Sequence, residues 1–277
     1  MTTIVPIEHA GRGRRGVIVR RGARVGEASP LPGRSKESLD DVVQAIALGD
    51  ATLASVDFAE WTLGARLSGP TIGSQELLDD PSTALPRARA SSASAFKVKI
   101  RSRADADVLV ALRDALPRAR LRADANRAFE RESDVPWDVL VRAGVEWIEE
   151  PCADAGSLAG APVPIALDES VEHDADRALE DVRDARATAL VLKPTILGAS
   201  ATLRIGRACL ALGGRVVVSH AFESELGRRG AEALARELDP RETHGLARWD
   251  GIDAYRLVIG GAPVATLWSD GVDHAVG

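Results

Sequence analysis

The sequence predicts an α/β fold, a (β/α)8 barrel of the TIM type preceded by a small, shortened α+β lobe. Three observations predict it. Short apolar runs alternate with helical stretches over about 71–250, a polar residue ends most of these runs at a spacing close to 25 residues, and residues 1–70 lack this rhythm. Barrels of this kind carry their catalytic groups where the strands end.

The opening lobe is expected to contain a β-hairpin. Residues 15–28 alternate apolar and polar positions around a turn at Gly22, and the prolines of 29–35 indicate a loop. The segment 251–277 contains YRLVIGGAPVATLW, which predicts a last hairpin that packs back on the lobe or on the barrel.

Two helices are expected to complete the lobe. The first should begin near Ser35, because Ser35, Glu37 and Ser38 offer capping groups. The second should cover 51–66. Its apolar face would consist of Val56, Ala59, Leu63 and Leu67.

The barrel is predicted from eight strand-like runs. They are TIGSQEL, AFKVKI, ARLRAD, VEWIEE, PIALDE, ALVLKP, RVVVSH and ETHGLA. Helical stretches separate them, among them ADADVLVALRDAL, SDVPWDVLVRAG, ASATLRIGRACLALG and SELGRRGAEALARELD. Buried parallel strands should be continuously apolar, as ALVL and VVV are.

Seven polar residues mark the expected strand ends, namely Lys99, Asp124, Glu149, Asp168, Lys193, Ser219 and His244. The step from Glu149 to Asp168 is only 19 residues (168−149). We therefore expect one abbreviated βα unit there.

Composition excludes several classes of function. The net charge of −6 repels a nucleic-acid backbone, and the short Arg-rich runs at 12–15 and 20–21 are typical of a solvated hairpin face. No window approaches the roughly 20 apolar residues of a membrane span, and the N-terminus lacks the apolar core of a signal peptide. Cys152 and Cys209 form no CxxC pair, so we expect neither disulfides nor thiolate ligands, in a reducing cytoplasm.

Three carboxylates, Asp124, Glu149 and Asp168, would end the third, fourth and fifth strands. Adjacent strands lie about 4.8 Å apart, so these groups can converge on one ion, and hard oxygen ligands favour Mg²⁺. Each acid alone could equally be an isolated loop residue. Three at matched positions favour a metal site, because clustered like charges repel without a cation.

The lysines suggest a base. Lys97 and Lys99 point to the same side of their strand, which predicts two amines facing the carboxylates, or, alternatively, an edge strand with one solvated face. Lys193 ends an otherwise apolar strand, where an amine is costly unless it is paired or functional. Burial and neighbouring positive charge lower a lysine's pKa and make it a usable general base.

Five motifs in order carry a family resemblance: KVK (97–99), DANRAF (124–129), WIEEP (147–151), LDES (167–170) and LKPTILG (192–198). Together with the opening GEASPLPGRSKES, they resemble the enolase superfamily in its muconate-lactonizing-enzyme-like subgroup. The resemblance covers about 15–250. Within the subgroup the chain is most similar to the o-succinylbenzoate synthases of menaquinone biosynthesis.

The resemblance implies a modified TIM barrel with a capping lobe, one Mg²⁺ per site and a small-molecule carboxylate substrate. Lys99 would remove the proton α to the substrate carboxylate and then protonate the departing hydroxyl, in a syn dehydration through an enediolate. By the same resemblance, the metal ligands would be Asp124, Glu149 and Asp168, and Lys193 would be the cation on the opposite side of the site. The supporting residues would be Lys97, Asn126 and Glu169, and Lys97 would lower the pKa of Lys99. Ser219 and Gly198 would contact the substrate.

Alternatives remain at this point. The same two lysines would serve an N-acylamino acid racemase, a dipeptide epimerase or a cycloisomerase. His220 resembles a strand-seven histidine base, but Lys193 replaces the aspartate such a base needs, so we expect His220 to line the pocket or to support the residues that line it. A non-catalytic barrel would have no need of the amine–carboxylate set. A homo-oligomer is compatible with the sequence.

Overall fold

The computed structural model describes residues 2–9, 14–65, 69–247, 257–259 and 262–263. The strands are β1 (Thr2–His9), β2 (Arg14–Arg21), β3 (Arg24–Ala28), β4 (Gly73–Ser74), β5 (Glu76–Leu78), β6 (Ala95–Lys99), β7 (Arg120–Asp124), β8 (Ile148–Glu149), β9 (Ile165–Leu167), β10 (Ala189–Leu192), β11 (Arg215–Val218), β12 (Thr243–His244), β13 (Leu257–Ile259) and β14 (Ala262–Pro263). The α-helices are α1 (Leu39–Leu48), α2 (Ala54–Gly64), α3 (Pro81–Ala90), α4 (Arg103–Ala115), α5 (Trp137–Ala143), α6 (Glu169–His173), α7 (Ala175–Arg183), α8 (Pro194–Leu197), α9 (Ala199–Ala211) and α10 (Glu225–Leu238).

The first sheet is antiparallel, in the order β14-β13-β1-β2-β3. The hairpin β2–β3 turns at Gly22, whose φ of 62° suits glycine, as the sequence predicts. Strand β1 was not predicted, because Pro6 interrupts its pattern. Strand β13 pairs with β1 and, antiparallel, with β14, so the described part of the predicted C-terminal hairpin lies on the lobe sheet. The other residues of 251–277 lie outside the described residues.

Helix α1 begins later than predicted. Its N-cap is Ser38, which forms a capping box with Asp41, whereas the hydroxyl of Ser35 accepts a hydrogen bond from the amide of Leu31 and closes the preceding loop. Glu37 accepts from the amide of Ser55 at 2.9 Å, near the start of the next helix.

Helix α2 packs against the hairpin. It is shorter than the predicted 51–66, and Val56, Ala59 and Leu63 of its predicted apolar face are buried. Leu67 lies outside the described residues.

The second sheet system is a closed parallel barrel. Strands β5 to β11 are hydrogen bonded in chain order, β12 pairs with β4, and Ser219 after β11 bridges to Gly245 after β12. The amide of Gln75, between β4 and β5, donates to the carbonyl of His244 at 2.9 Å. Strands β4 and β5 therefore form one barrel strand that bends at Gln75, and each of the eight barrel strands is called a stave below. The predicted first and eighth strands thus complete an eight-stave ring, and the (β/α)8 class is confirmed.

One βα unit is abbreviated, as the 19-residue step predicts. In residues 150–164, all of which the structure describes, a single 3-10 turn (Ala155–Ser157) stands where the other units between β5 and β12 carry an α-helix. Strands β8 and β9 pair at only two positions, whereas β6 and β7 pair at five.

Below the strand ends, the barrel interior holds Trp147 and a charged layer. The guanidinium carbons of Arg122 and Arg215 lie 3.9 and 4.3 Å from the centroid of the Trp147 ring. Glu146 and Glu242 each accept from Arg122 at 2.8 Å. Because the fully buried Arg122 is paired on both sides, the layer closes the bottom of the barrel without an unpaired charge.

Candidate active site

The barrel brings the predicted lysines and carboxylates to one face. Lys99 is in register with Asp124, and Asp124 is in register with Glu149, across β6, β7 and β8. Asp168 directly follows β9 and Lys193 directly follows β10. The alternation of side chains along parallel strands points all of these groups toward the barrel axis.

The carboxylates are buried and held by amines. Lys97 Nζ lies 2.8 Å from Asp124 Oδ2 and 3.1 Å from both oxygens of Glu149. Lys193 Nζ contacts Asp168 Oδ2 directly. The three acids are 1–3% exposed, so their charges interact in a poorly solvated region.

This crowding shifts the pKa values of Glu149, Asp168 and Lys97. Burial raises the pKa of Glu149 well above its usual value, and the neighbouring charge of Asp124 raises it further. Burial alone would raise the pKa of Asp168 too, but Lys193 and then Lys97 outweigh burial and lower it. The pKa of Lys97 is raised because Asp124 and Glu149 outweigh the opposing effect of burial. The lysine contacts therefore lower the pKa of Asp168, whereas at Glu149 burial and the charge of Asp124 outweigh the effect of Lys97.

The donor set fits a hard divalent cation. Asp124 Oδ1 and Asp168 Oδ1 are buried and have no hydrogen-bond partner among the described residues, so each has an oxygen to offer. Within the same residues the carboxylates do not form a ready-made metal cluster, since their other oxygens face the lysines. A cation that recruits the two unpartnered oxygens would satisfy them and relieve the repulsion on Glu149.

Lys99 and Lys193 differ in their surroundings. Lys99 is half-buried and lines the cavity above the carboxylates. Lys193 lies against Asp168, with Glu172 Oε1 at 3.7 Å. Burial lowers the pKa of Lys193, but Asp168 and Glu172 outweigh burial and raise it, which keeps this amine charged.

Two predicted supporting residues lie at the mouth of the site. Asn126 Nδ2 donates to Glu169 Oε1 at 3.3 Å. Burial and the charge of Asp168 raise the pKa of Glu169. The pair links the turn after β7 to the start of α6 beside Asp168.

Glu150, the second acid of WIEEP, is a buried residue whose importance the sequence did not reveal. Its carboxylate accepts from the backbone amides of Asp168 and Ser170 at 2.9 and 2.7 Å, and from Arg127 Nε at 3.0 Å. The adjacent-acid motif was the available signal. Glu150 thereby fixes the backbone that presents Asp168.

A second unpredicted contact comes from the lobe. Arg34, in the loop before α1, donates to Glu172 Oε2 at 2.9 Å through Nε and to Glu169 Oε1 at 3.0 Å through Nη1. No sequence signal joins residues 138 positions apart. The loop therefore reaches across the barrel face and becomes part of the site.

The remaining predicted positions divide into two groups. Ser219 and His220 line the cavity, and His220 Nδ1 accepts from the amide of Phe222 at 3.1 Å. Gly198 and His244, in contrast, do not line it.

The surroundings of these two residues account for the difference. Gly198 has φ 84° and packs against Asp57 of α2, whose carboxylate accepts from the amide of Ser200 at 2.8 Å. His244 is fully buried: its Nδ1 accepts from the amide of Val218 at 3.0 Å, and its Nε2 lies 2.9 Å from the carbonyl of Asp239. Both residues hold elements together in this structure, which does not support the expected substrate contact for Gly198.

The cavity over these groups has a volume of about 400 Å³, enough for a small carboxylate substrate. Its wall combines apolar and cationic side chains from the lobe loop, the strand ends and the loop after β11. The lining residues that matter below are Leu31, Arg34, Arg87, Lys99, Lys193 and Phe222. Among the described residues there is no helix with the length and apolar character of a membrane span.

Comparison with known proteins gives consistent results. The family model "Enolase C-terminal domain-like" matches residues 83–239. An o-succinylbenzoate synthase of Vibrio cholerae is 31% identical over 277 residues, covering 88% of this chain and 80% of that protein. The o-succinylbenzoate synthase of Thermobifida fusca is 42% identical over 139 residues, covering 46% of this chain and 41% of that protein.

The fold has solved counterparts as well. The structure of o-succinylbenzoate synthase from Thermosynechococcus elongatus BP-1, complexed with Mg in its active site, superposes with a TM-score of 0.70. It covers 97% of both chains at 22% identity, a level that establishes the shared fold alone.

Proposed function

The chain belongs to the enolase C-terminal domain-like family, and on this premise we propose that it is a Mg²⁺-dependent o-succinylbenzoate synthase. The reaction is the syn dehydration of 2-succinyl-6-hydroxy-2,4-cyclohexadiene-1-carboxylate to o-succinylbenzoate, a step of menaquinone biosynthesis. The observation that carries the proposal is the placement of Lys99 and Lys193 around Asp124 and Asp168 in one cavity. Relatives of this activity aligned along most of the chain support it.

In this reaction Lys99 is the general base and then the general acid. As a neutral amine it takes the proton from ring carbon 1, next to the carboxylate, and the resulting ammonium gives that proton to the hydroxyl on carbon 6. The C1–H and C6–O bonds break, a C1–C6 double bond forms, and water leaves as the ring becomes aromatic. One base serving one face of the ring accounts for the syn course.

Charge stabilisation comes from the rest of the site. Asp124, Glu149 and Asp168 would hold Mg²⁺, which when bound offsets the negative charge that develops on the substrate carboxylate. Lys193, kept charged by Asp168 and Glu172, lies opposite Lys99 and stabilises the same charge. Lys97 balances the acids and holds them in place.

The lobe completes the enclosure. We propose that residues 1–70, with 251–277 packed on them, act as a capping domain for a catalytic barrel over 71–250. Leu31 and Arg34 of the lobe loop line the same cavity as the lysines, which supports this division. A covered cavity excludes water from the carbanionic charge.

The decisive experiment is a dehydration assay with purified protein and the cyclohexadiene substrate, followed by loss of diene absorbance, with and without EDTA. We expect turnover that EDTA abolishes and Mg²⁺ restores. A second arm runs in D₂O: a synthase forms aromatic product, whereas a racemase or epimerase acting on an N-acylamino acid or dipeptide would return labelled substrate. Absence of dehydration in the Mg²⁺-loaded protein would disprove the proposal.

A further inference from the structure

Arg34 occupies a position that the dehydration chemistry leaves unexplained. It belongs to the lobe, yet it lines the cavity that holds Lys99, Lys193 and Asp168. We propose that its guanidinium binds the second carboxylate of the substrate, at the end of the succinyl chain, and so selects a dicarboxylate. The inference rests on the proposed function and names one specificity-determining residue for it.

The guanidinium of Arg34 is fixed by carboxylates and still has hydrogen-bonding capacity. Nε and Nη1 donate to Glu172 and Glu169 at 2.9 and 3.0 Å. Nη2 lies 2.6 Å from the Glu172 oxygen that already accepts from Nε, and it has no hydrogen-bond partner among the described residues. Two acids thus fix the group, while Nη2, although ion-paired with Glu172, makes no hydrogen bond within the described residues.

The proposed substrate has a second carboxylate, which needs a hydrogen-bond donor. Its ring carboxylate faces the metal-binding acids, and its succinyl carboxylate must then lie elsewhere in a cavity of about 400 Å³. A carboxylate taken out of water is costly unless a cation or several donors receive it. The planar guanidinium suits this task better than an amine, since it presents paired N–H groups to a carboxylate.

The competing cation is Arg87, which also lines the cavity. Its Nη1 donates to Asp79 at 2.9 Å, and its Nη2 donates to the carbonyl of Leu77 at 3.0 Å. Each terminal nitrogen of Arg87 therefore has an acceptor in β5 or directly after it. Arg34 has a terminal nitrogen that makes no hydrogen bond within the described residues, and it lies beside the acids that flank Lys193, which favours it.

The test measures binding rather than turnover. With Mg²⁺ present, calorimetry compares o-succinylbenzoate with 2-butanoylbenzoate, in which a methyl group replaces the terminal carboxylate. We expect the wild-type protein to bind the dicarboxylate about 10- to 100-fold more tightly, as one charge-assisted bidentate contact warrants. Arg34→Gln should reduce this ratio to within about threefold while leaving the affinity for 2-butanoylbenzoate nearly unchanged.

Three further variants make the result specific. Arg34→Lys keeps the charge without the planar fork and should give an intermediate ratio, and it serves as the working variant if Arg34→Gln does not fold. Arg21→Gln breaks an exposed ion pair with Glu60 elsewhere in the lobe and should behave as wild type. Arg87→Gln should retain the preference for the dicarboxylate.

The inference about Arg34 is overturned if Arg34→Gln keeps the preference, if it weakens both ligands equally, or if Arg87→Gln alone removes the preference. Failure of the proposed function looks different. In that case the wild-type protein neither dehydrates the cyclohexadiene substrate nor binds o-succinylbenzoate, and both proposals fall together. Turnover by the wild type with an unchanged ratio in Arg34→Gln removes only the role of Arg34.

Discussion

The side chain of Glu150 is tied to the backbone of Asp168: one carboxylate oxygen accepts from the amide of Asp168 at 2.9 Å and from that of Ser170 at 2.7 Å. Glu150 is fully buried, and its φ of 43° lies in the left-handed region. A strained, buried acid is thus used to set the start of α6. Glu150, on the adjacent stave, therefore fixes the position of Asp168 in the site.

Glu150→Ala should therefore act on both stability and metal binding. It leaves two buried amides without an acceptor, at a cost of about 1–3 kcal/mol each, and it frees Asp168 to move. We expect Mg²⁺ affinity to fall by about tenfold or more. Glu150→Gln keeps an oxygen for the amides and should lose less in both measurements. Urea unfolding and Mg²⁺ titration check this, and wild-type Mg²⁺ affinity in Glu150→Ala would contradict it.

Lys99→Ala should lower the turnover number by about 10²- to 10⁴-fold, because it removes the amine proposed to carry the proton on that face. Binding of Mg²⁺ and of o-succinylbenzoate should be largely retained. The dehydration assay and calorimetry measure the two effects separately. Lys36→Ala, which removes an exposed lysine of the lobe, is the matched control. Substantial residual dehydration in Lys99→Ala would refute the assignment of the base.

The charged layer at the bottom of the barrel predicts a dependence of stability on pH. Burial alone would raise the pKa of Glu242, but its hydrogen bonds from Arg215 and from the amide of Thr243, and the charge of Arg122, lower it to about 2. A depressed carboxyl pKa contributes stability that is fully present above the unfolded-state value, near 4.5, and is lost as the pH falls toward 2.

Glu242→Gln should then cost about 3 kcal/mol at pH 7, and the difference from wild type should shrink steadily between pH 4.5 and pH 2. Urea unfolding across this range measures the effect. Glu237→Gln removes a partner of the exposed Arg207 and should cost well under 1 kcal/mol at any pH. A difference for Glu242→Gln that is constant with pH would show that its charge is not the cause.

Gly198→Ala should destabilise the fold without changing specificity. A Cβ at this position would lie 2.7 Å from Asp57 Oδ2, and φ 84° already disfavours a side chain. We expect a loss of about 1–3 kcal/mol in unfolding free energy. Gly22→Ala, at φ 62° with open space around it, should cost about 1 kcal/mol. A selective rise in KM for Gly198→Ala, with stability unchanged, would restore the expected substrate contact.

The sequence was sufficient to place the strand-end groups. Lys99, Asp124 and Glu149 could be found because barrel topology converts a regular spacing into spatial proximity, and their registers in the structure are consecutive. The abbreviated unit before Asp168 was visible for the same reason, as a short step in that spacing.

The spacing of residues along the sequence did not predict the long-range contacts. Arg34 meets Glu172 only because the lobe loop folds over the barrel, and no local pattern encodes that approach. Residue type alone did not define the role of two positions: His244 ends a strand as expected and its ring satisfies backbone groups, and Ser35 could have capped a helix that Ser38 caps. At both positions, tertiary packing determines which of the locally equivalent interactions forms.

The single 3-10 turn between β8 and β9 marks one place where the ring should open more readily than at β6 and β7. These two staves share two paired positions and lack a covering helix, so we expect their amides to exchange with solvent at a lower opening free energy than those of β6 and β7. Glu149 and Asp168 stand on opposite sides of that seam. An ion bound by both residues would link the two strands, so that metal binding would raise the free energy needed to open this seam.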